Sequence, residues 1–140
     1  MSQIRKSPIN IKTQEISPGN GLEEMDLSVN DASIDLISRN NSIAWYGNIF
    51  DGSFSVSVFQ CDYQKFKPRD HSFDEFIMIL EGTLTLTEDT GEIHEFKKGD
   101  TLIFPKEFKG TWENSDNYKE LIIIESGAMN DIPSMQDHHE

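Results

Sequence analysis

Four residues with chemically useful side chains alternate between positions 69 and 75. Arg69, His71, Phe73 and Glu75 are each two residues apart, so a regular strand would direct all four to the same face. Imidazole and carboxylate groups bind divalent manganese, iron, nickel and zinc, and they also act as base and acid in catalysis. A guanidinium can bind a carboxylate or phosphate through two hydrogen bonds. This face is therefore predicted to bind a small polar molecule, with or without a metal.

A metal site on this face needs more than His71 and Glu75, because two ligands are too few for tight binding. Three other residues could supply the missing ligand: His94, Cys61 and Glu113. In the metal-free alternative, Arg69 pairs with Glu75 and His71 is hydrogen-bonded to a neighbour. The metal-free interpretation is preferred, because the guanidinium of Arg69 is a fixed cation that would disfavour a metal cation nearby. In the metal-free case, Arg69 would bind an acidic ligand, His71 would act as a base and Glu75 as an acid or base. If a metal is present, His71 and Glu75 would be its ligands.

The elements that would position these residues are short strands. Apolar and polar residues alternate from position 53 to 58 and from 83 to 87, and Asp89-Thr90-Gly91 marks a hairpin turn before a return strand at 92–96. The serines and threonines of these strands are predicted to line a solvated or subunit-facing surface. No convincing helical period follows residue 43. The pattern predicts an all-β sandwich or barrel.

One strand is apolar on both faces. The run from Phe76 to Leu80 contains no polar residue, although a small barrel has only one interior. Its second face needs a cover, which predicts a homodimer.

Two motifs in this region resemble those of the cupins. Glu75 is followed by six residues and then Gly82, and His71 stands four residues before Glu75; later, Gly99 is followed by five residues and then Pro105, with Asn114 at the final asparagine of the second motif. The resemblance covers about residues 42–126. It implies a single-domain cupin-type β-barrel, a double-stranded β-helix or jelly roll, with a pocket inside.

The departures from the cupin motifs concern the metal ligands. Arg69 stands at the first histidine of the family's four-ligand set and Gly110 at the third, which leaves His71 and Glu75. The sequence around residues 76–82 and 99–113 is similar to the subgroup of the ureidoglycine aminohydrolase and ethanolamine-utilisation Q cupins. The resemblance implies either an enzyme acting on a small polar metabolite or a non-catalytic binding or sensor module with a degenerate, metal-free site.

Aromatic residues are candidates for the walls of the pocket. Trp112 is the strongest, because it lies inside the second motif, and Phe73 shares the face of His71 and Glu75. For any single one of the aromatic candidates, the role of an ordinary core or interface residue is favoured over that of a pocket wall. The other candidates are Tyr46, Trp45, Phe59 and Tyr63.

Composition limits the remaining possibilities. The 140 residues suffice for one domain, divided into an N-terminal arm at 1–41, a barrel at 42–126 and an acidic tail at 127–140. A net charge of −13 opposes binding to nucleic acids and to anionic membrane surfaces. The single cysteine excludes an internal disulfide. With no apolar signal core or membrane-length segment in the sequence, the expected location is the cytoplasm.

Overall fold

The computed structural model describes residues 7–28, 34–38 and 41–128. Apart from a single 3-10 turn at Thr13–Glu15, the regular structure of these residues is made of strands. The strands are β1 (Ser17–Pro18), β2 (Gly21–Asp26), β3 (Ile34–Leu36), β4 (Ile43–Asp51), β5 (Phe54–Cys61), β6 (Gln64–Pro68), β7 (Glu75–Glu81), β8 (Thr83–Glu88), β9 (Ile93–Lys97), β10 (Thr101–Phe104), β11 (Gly110–Asn114) and β12 (Tyr118–Glu125). The all-β prediction is confirmed. Within the described ranges, no helix has the length and apolar character that crossing a membrane requires.

The strands form two sheets that enclose the core. The first has the order β1-β2-β4-β5-β12-β7-β10, and the second has the order β3-β6-β11-β8-β9. Apart from the parallel pair β1–β2, the paired strands are antiparallel. This is the arrangement of a jelly roll, and it places β12 and β7 beside each other in the larger sheet, with β10 at the edge next to β7.

Alternate residues of the facing strands build the core between the sheets. On β7, Ile77 and Ile79 are almost completely buried, and on β8 Leu84 and Leu86 face them with Trp112 of β11. Burying one such aliphatic side chain contributes about 1.5–3 kcal/mol to the free energy of unfolding. The threonines between the leucines of β8 point to the other side, as their alternation predicts.

The outer face of the larger sheet is also partly covered. Val56 and Val58 are buried on this face, opposite to the interior side chain of Ser57. The ammonium group of Lys119 donates hydrogen bonds to the carbonyl oxygens of Thr13 (2.7 Å) and Ile16 (2.6 Å). Since Lys119 alternates with the inward-facing Tyr118 and Glu120, these bonds place the segment around the 3-10 turn on the outer face.

Two glycines from the cupin-like motifs occupy turns that require their conformational freedom. Gly82 joins β7 to β8 with φ of 82°, and Gly99 precedes β10 with φ of 93°. Both angles lie in the left-handed region that residues with a Cβ rarely adopt. Part of the predicted arm (residues 1–6, 29–33 and 39–40) and the predicted tail from residue 129 onward lie outside the described residues.

Candidate functional site

A cavity of about 650 Å³ lies between the two sheets. Strands of both sheets contribute to its wall, and β2 of the arm closes one side. Aromatic side chains form much of the lining: Tyr46, Phe59, Phe66, Phe73, Phe104 and Trp112. Carboxyl-bearing residues are also part of the lining: Glu23, Glu24, Asp70, Glu75 and Glu120. Among the described lining residues there is no lysine or arginine, so no fixed positive charge in the lining balances the carboxylates, of which Glu23, Glu24 and Asp70 are solvent-exposed.

His71 and Glu75 meet at this cavity as a close pair. The Nε2 atom of His71 lies 3.1 Å from Oε2 of Glu75, and both side chains are largely buried, at 11% and 15% exposed. The alignment is not that of a hydrogen bond, and within the described residues the buried Nε2 has no hydrogen-bond partner. A buried ring nitrogen without a partner costs free energy. This atom is therefore available to a bound molecule.

The position of His71 is fixed by packing and by the backbone. Its ring lies between Phe73 and Phe104, with ring centroids 4.7 and 4.6 Å away. Its carbonyl oxygen accepts a 2.7 Å hydrogen bond from the N–H of Glu107. These contacts fix the ring and the backbone of a residue that lies between two strands.

A second carboxyl group, that of Glu120, lies deeper in the barrel. The residue is 2% exposed, and the hydroxyl group of Tyr118 donates a short hydrogen bond to its Oε1. Burial raises the pKa of Glu120 well above its usual value, and the nearby Glu75 raises it further; the bond from Tyr118 acts in the opposite direction but does not offset burial. Its surroundings therefore favour the neutral, protonated form of the carboxyl group.

Tyr46 and Ser57 form a polar patch on the cavity wall. Their hydroxyl oxygens are 2.8 Å apart across β4 and β5, and Asn48 donates to the same serine at 3.3 Å. Burial raises the pKa of Tyr46, so its phenol stays protonated. The expectation that Ser57 faces solvent or a subunit is wrong: its side chain is buried and points into the cavity.

Arg69 does not reach the cavity, so the predicted interior pair with Glu75 is wrong. The strand β6 ends at Pro68, and Asp70 has φ of 51°, which breaks the two-residue alternation on which the prediction depended. The guanidinium instead lies 3.3 Å from the carboxylate of Asp35 and donates to the carbonyl oxygen of Ile34 at 3.0 Å. Its side chain is 45% exposed.

The three residues proposed as a further metal ligand lie elsewhere. His94 contacts Glu88 at 2.7 Å on the β8–β9 hairpin, and Glu113 accepts a 2.5 Å bond from the hydroxyl of Tyr63. Cys61 is in the core, where burial raises the pKa of its thiol. In the described part of the chain, no third donor converges on His71 and Glu75; the donors that do converge are Glu88, Glu92 and His94 on the partly exposed hairpin. Within the described residues, the barrel interior therefore offers the pair of His71 and Glu75 and not the four-ligand set of the cupin motif.

Most of the predicted aromatic residues do line the cavity. Tyr46, Phe73, Phe59 and Trp112 are in its wall, and Trp112 stacks on Phe66 with centroids 5.4 Å apart. Trp45 and Tyr63 are not part of the lining. The sequence analysis did not identify Glu120 and Tyr118, because the apolar run of this strand, at 121–124, begins after them. The alternation of Tyr118, Glu120, Ile122 and Ile124 could have revealed both.

Comparison with protein families matches residues 49–127, more than half of the chain, to the EutQ-like cupin domain. This agrees with the ethanolamine-utilisation Q part of the resemblance drawn from the motifs. No curated protein matches the chain significantly.

Solved structures of similar fold include the EutQ protein of Clostridium difficile, with a TM-score of 0.58 at 14% identity, covering 84% of this chain and 86% of that one. The AraC-like transcriptional activator CuxR gives 0.57 at 7% identity, covering 74% of this chain and 47% of that one. A putative ethanolamine utilisation protein Q of Salmonella typhimurium gives 0.46 at 16% identity, with coverages of 69% and 95%. At such identities these likenesses concern the fold alone.

Proposed function

Because this chain belongs to the family of EutQ-like cupin domains, we propose that it is a cytoplasmic protein that binds a small organic cation inside its barrel. Membership of the family indicates the barrel fold, and the residues that line the cavity indicate the charge of the ligand. The single observation that carries the proposal is the combination of carboxyl-bearing and aromatic side chains in a lining without a described lysine or arginine.

Each part of that lining suits an organic ammonium group. Glu75 can accept hydrogen bonds from the ammonium hydrogens, and the aromatic rings can contact its alkyl part or attract the charge through their faces. An anionic ligand would meet the opposite situation, since removing it from water next to Glu75 is unfavourable without a cation to balance it. The sequence prediction of an acidic ligand relied on Arg69, which lies outside the cavity.

Three probes of similar length and different charge test this proposal: hexylamine, hexanol and hexanoate. Calorimetry or ligand-observed NMR should detect hexylamine binding to the parent protein and little binding of hexanoate. Replacing Glu75 with Gln should weaken hexylamine binding about ten- to a hundredfold, as expected for the loss of a charge-assisted hydrogen bond.

The matched control for that variant is Glu95→Gln, which changes the net charge equally at an exposed position on β9. It should leave the affinity for hexylamine unchanged. If hexanoate binds as well as hexylamine, or if Glu95→Gln and Glu75→Gln weaken the amine equally, the proposed cation site is wrong.

Catalysis is a second candidate function, and the His71–Glu75 contact favours it. A neutral imidazole with a free Nε2 next to a carboxylate can accept a proton from a bound molecule, and the carboxylate would stabilise the imidazolium that forms. Incubation with small amines, followed by NMR, should then show turnover that His71→Gln abolishes while binding persists. The proposal includes no metal, and elemental analysis of purified protein checks that part separately.

We further propose a homodimer formed through the outer face of the larger sheet. Phe76, Met78, Leu80, Leu121 and Ile123 are partly exposed there. A second copy of the chain would remove this apolar surface from water.

A further inference from the structure

Glu120 is a buried carboxyl group in the cavity lining to which neither proposed function gives a specific role. It lies on β12, where its neighbour across the sheet is Ile79 of β7, and the register between these strands shifts next to it, between Lys119 and Glu120. Such an irregularity can re-aim a side chain in the middle of a sheet. Glu120 contributes to the cavity wall although only 2% of the residue is exposed.

The two oxygen atoms of this carboxyl group differ in their surroundings. Oε1 accepts the hydrogen bond from the hydroxyl of Tyr118. Oε2 makes no hydrogen bond within the described residues, and it keeps some accessible surface, since among those residues the fully buried side-chain atom without a partner is Nε2 of His71. The titratable groups around it are Tyr118 on its own strand, Cys61 on β5 and Glu75 on β7, and none of them is basic.

We infer that Glu120 contacts the ligand through Oε2 and thereby selects a molecule with two polar ends, an amine held near Glu75 and an oxygen that accepts a hydrogen bond from Glu120. This inference rests on the proposed cation site and specifies the class of its ligand. The accepting oxygen belongs to a hydroxyl, ether or carbonyl group. A ligand of this kind satisfies Oε2 without placing a second positive charge in the barrel.

The protonation state of Glu120 supports this division of roles. Burial raises its pKa and so favours the protonated form, and Tyr118 already donates to Oε1. The proton on Oε2 is then the donor that the cavity offers at this end. A carboxylic acid that is held neutral can act as a hydrogen-bond donor to a bound molecule.

The test compares aminopentanol, hexylamine and hexanol, which have chains of similar length and differ in their polar ends. Aminopentanol should bind the parent protein about five- to tenfold more tightly than hexylamine, the gain typical of one additional buried hydrogen bond. Glu120→Met removes the donor and should abolish this preference. Glu120→Gln should retain it, because the amide can accept from Tyr118 and donate from its nitrogen. Thermal melts show whether each variant is folded. If Glu120→Met does not fold, Glu120→Gln still provides a test.

The outcomes separate the two proposals. Equal binding of aminopentanol and hexylamine to the parent overturns the role of Glu120 and leaves the cation site intact. A preference that survives in Glu120→Met also overturns it. Hexanol binding as tightly as aminopentanol, with sensitivity to Glu120→Met, supports the Glu120 contact and overturns the cation site. Failure of all three probes to bind overturns both.

Discussion

A buried carboxyl group with no basic side chain described beside it holds its proton, and Glu120 is such a group. The ordinary pKa of a glutamate is 4.5, and that of Glu120 in the folded protein is raised. At pH values above 4.5, the folded protein therefore binds more protons than the unfolded chain. The free energy of unfolding must therefore fall as the pH rises from that value through the folded-state pKa. Glu120 therefore stabilises the folded state most at the acidic end of this pH range. A salt-bridged carboxylate has the opposite pH dependence.

Replacing Glu120 with Gln should remove this pH dependence, because the amide has a similar shape and does not titrate. We expect denaturant melts of the variant and the parent to be similar at pH 5 and the variant to be the more stable at pH 9. Glu125→Gln, an exposed change on the same strand, should show no such trend. A difference between Glu120→Gln and the parent that is constant with pH would contradict the prediction.

Arg69 provides the contrasting case of an exposed charge. Its partner Asp35 has a side chain 57% exposed, and Arg69 itself is 45% exposed. Solvent screens such pairs, so Arg69→Ala should lower the free energy of unfolding by less than about 1 kcal/mol. Denaturant melts check this value, and a loss of several kcal/mol would mean that the guanidinium is buried after all.

These residues show what spacing in the sequence can and cannot predict about the site. His71, Phe73 and Glu75 were placed together correctly, since aromatic packing fixes the first two and β7 begins at the third. The prediction for Arg69 was wrong because the left-handed backbone at Asp70 reverses the direction of the side chains. The presence of an aspartate in the sequence does not by itself predict a positive φ angle. Glu120 was missed because its strand begins before the apolar run. The role of each in binding stays a prediction.

At the scale of elements, β2 completes the cavity by close approach to β4. A Cβ atom on Gly47 would lie 1.9 Å from the backbone oxygen of Gly21 and 3.0 Å from the side chain of Leu22. No rotation of a side chain relieves a clash with backbone, so any larger residue must push β2 away. The absence of a side chain at Gly47 therefore determines whether the arm can form this wall.

Gly47→Ala should lower the free energy of unfolding by about 1–3 kcal/mol, as overpacking does. It should also increase amide hydrogen exchange in β2, where residues 23–26 pair with β4. Gly91→Ala is the control: its Cβ would meet open space, and only the left-handed φ of 100° makes it costly. Faster exchange in β2 of the control, or unchanged exchange in Gly47→Ala, would show that Gly47 does not govern the arm.

The strands of the barrel were more predictable than those of the arm. In β8 and β9, alternating residues and the Asp89-Thr90-Gly91 turn indicated the hairpin directly. In β5 the same alternation was present, but both of its faces are covered, so the apolar residues did not mark the interior. The strands of the arm depend on pairing with β4 and β6. Such long-range pairing leaves no alternation of apolar and polar residues in the local sequence from which it could be predicted.

At the scale of the whole molecule, the proposed dimer competes with the charge of the chain. Each copy carries a formal net charge of −13, so two copies repel each other while the apolar outer faces attract. Salt screens the repulsion and leaves the apolar contact intact. Dimerisation is therefore expected to strengthen with ionic strength, unlike an association formed by ion pairs.

Light scattering at micromolar concentration should give twice the mass of the 16.0 kDa chain, with more dimer at higher salt. Met78→Lys should shift the equilibrium to the monomer, because it places a charge in the proposed apolar contact. Thr87→Lys adds the same charge to the outer face of the other sheet and should have no effect. A clean monomer at all salt concentrations would exclude the dimer.

The hydrogen bonds from Lys119 to Thr13 and Ile16 connect positions 106 and 103 residues apart. During synthesis, the two carbonyl groups leave the ribosome long before the lysine that holds them. The segment around the 3-10 turn can therefore be secured only after β12 has emerged and joined β5 and β7. Until then, the outer face of the larger sheet lacks this segment. A ribosome-bound chain stopped before β12 should thus be a better substrate for chaperones than one released at full length.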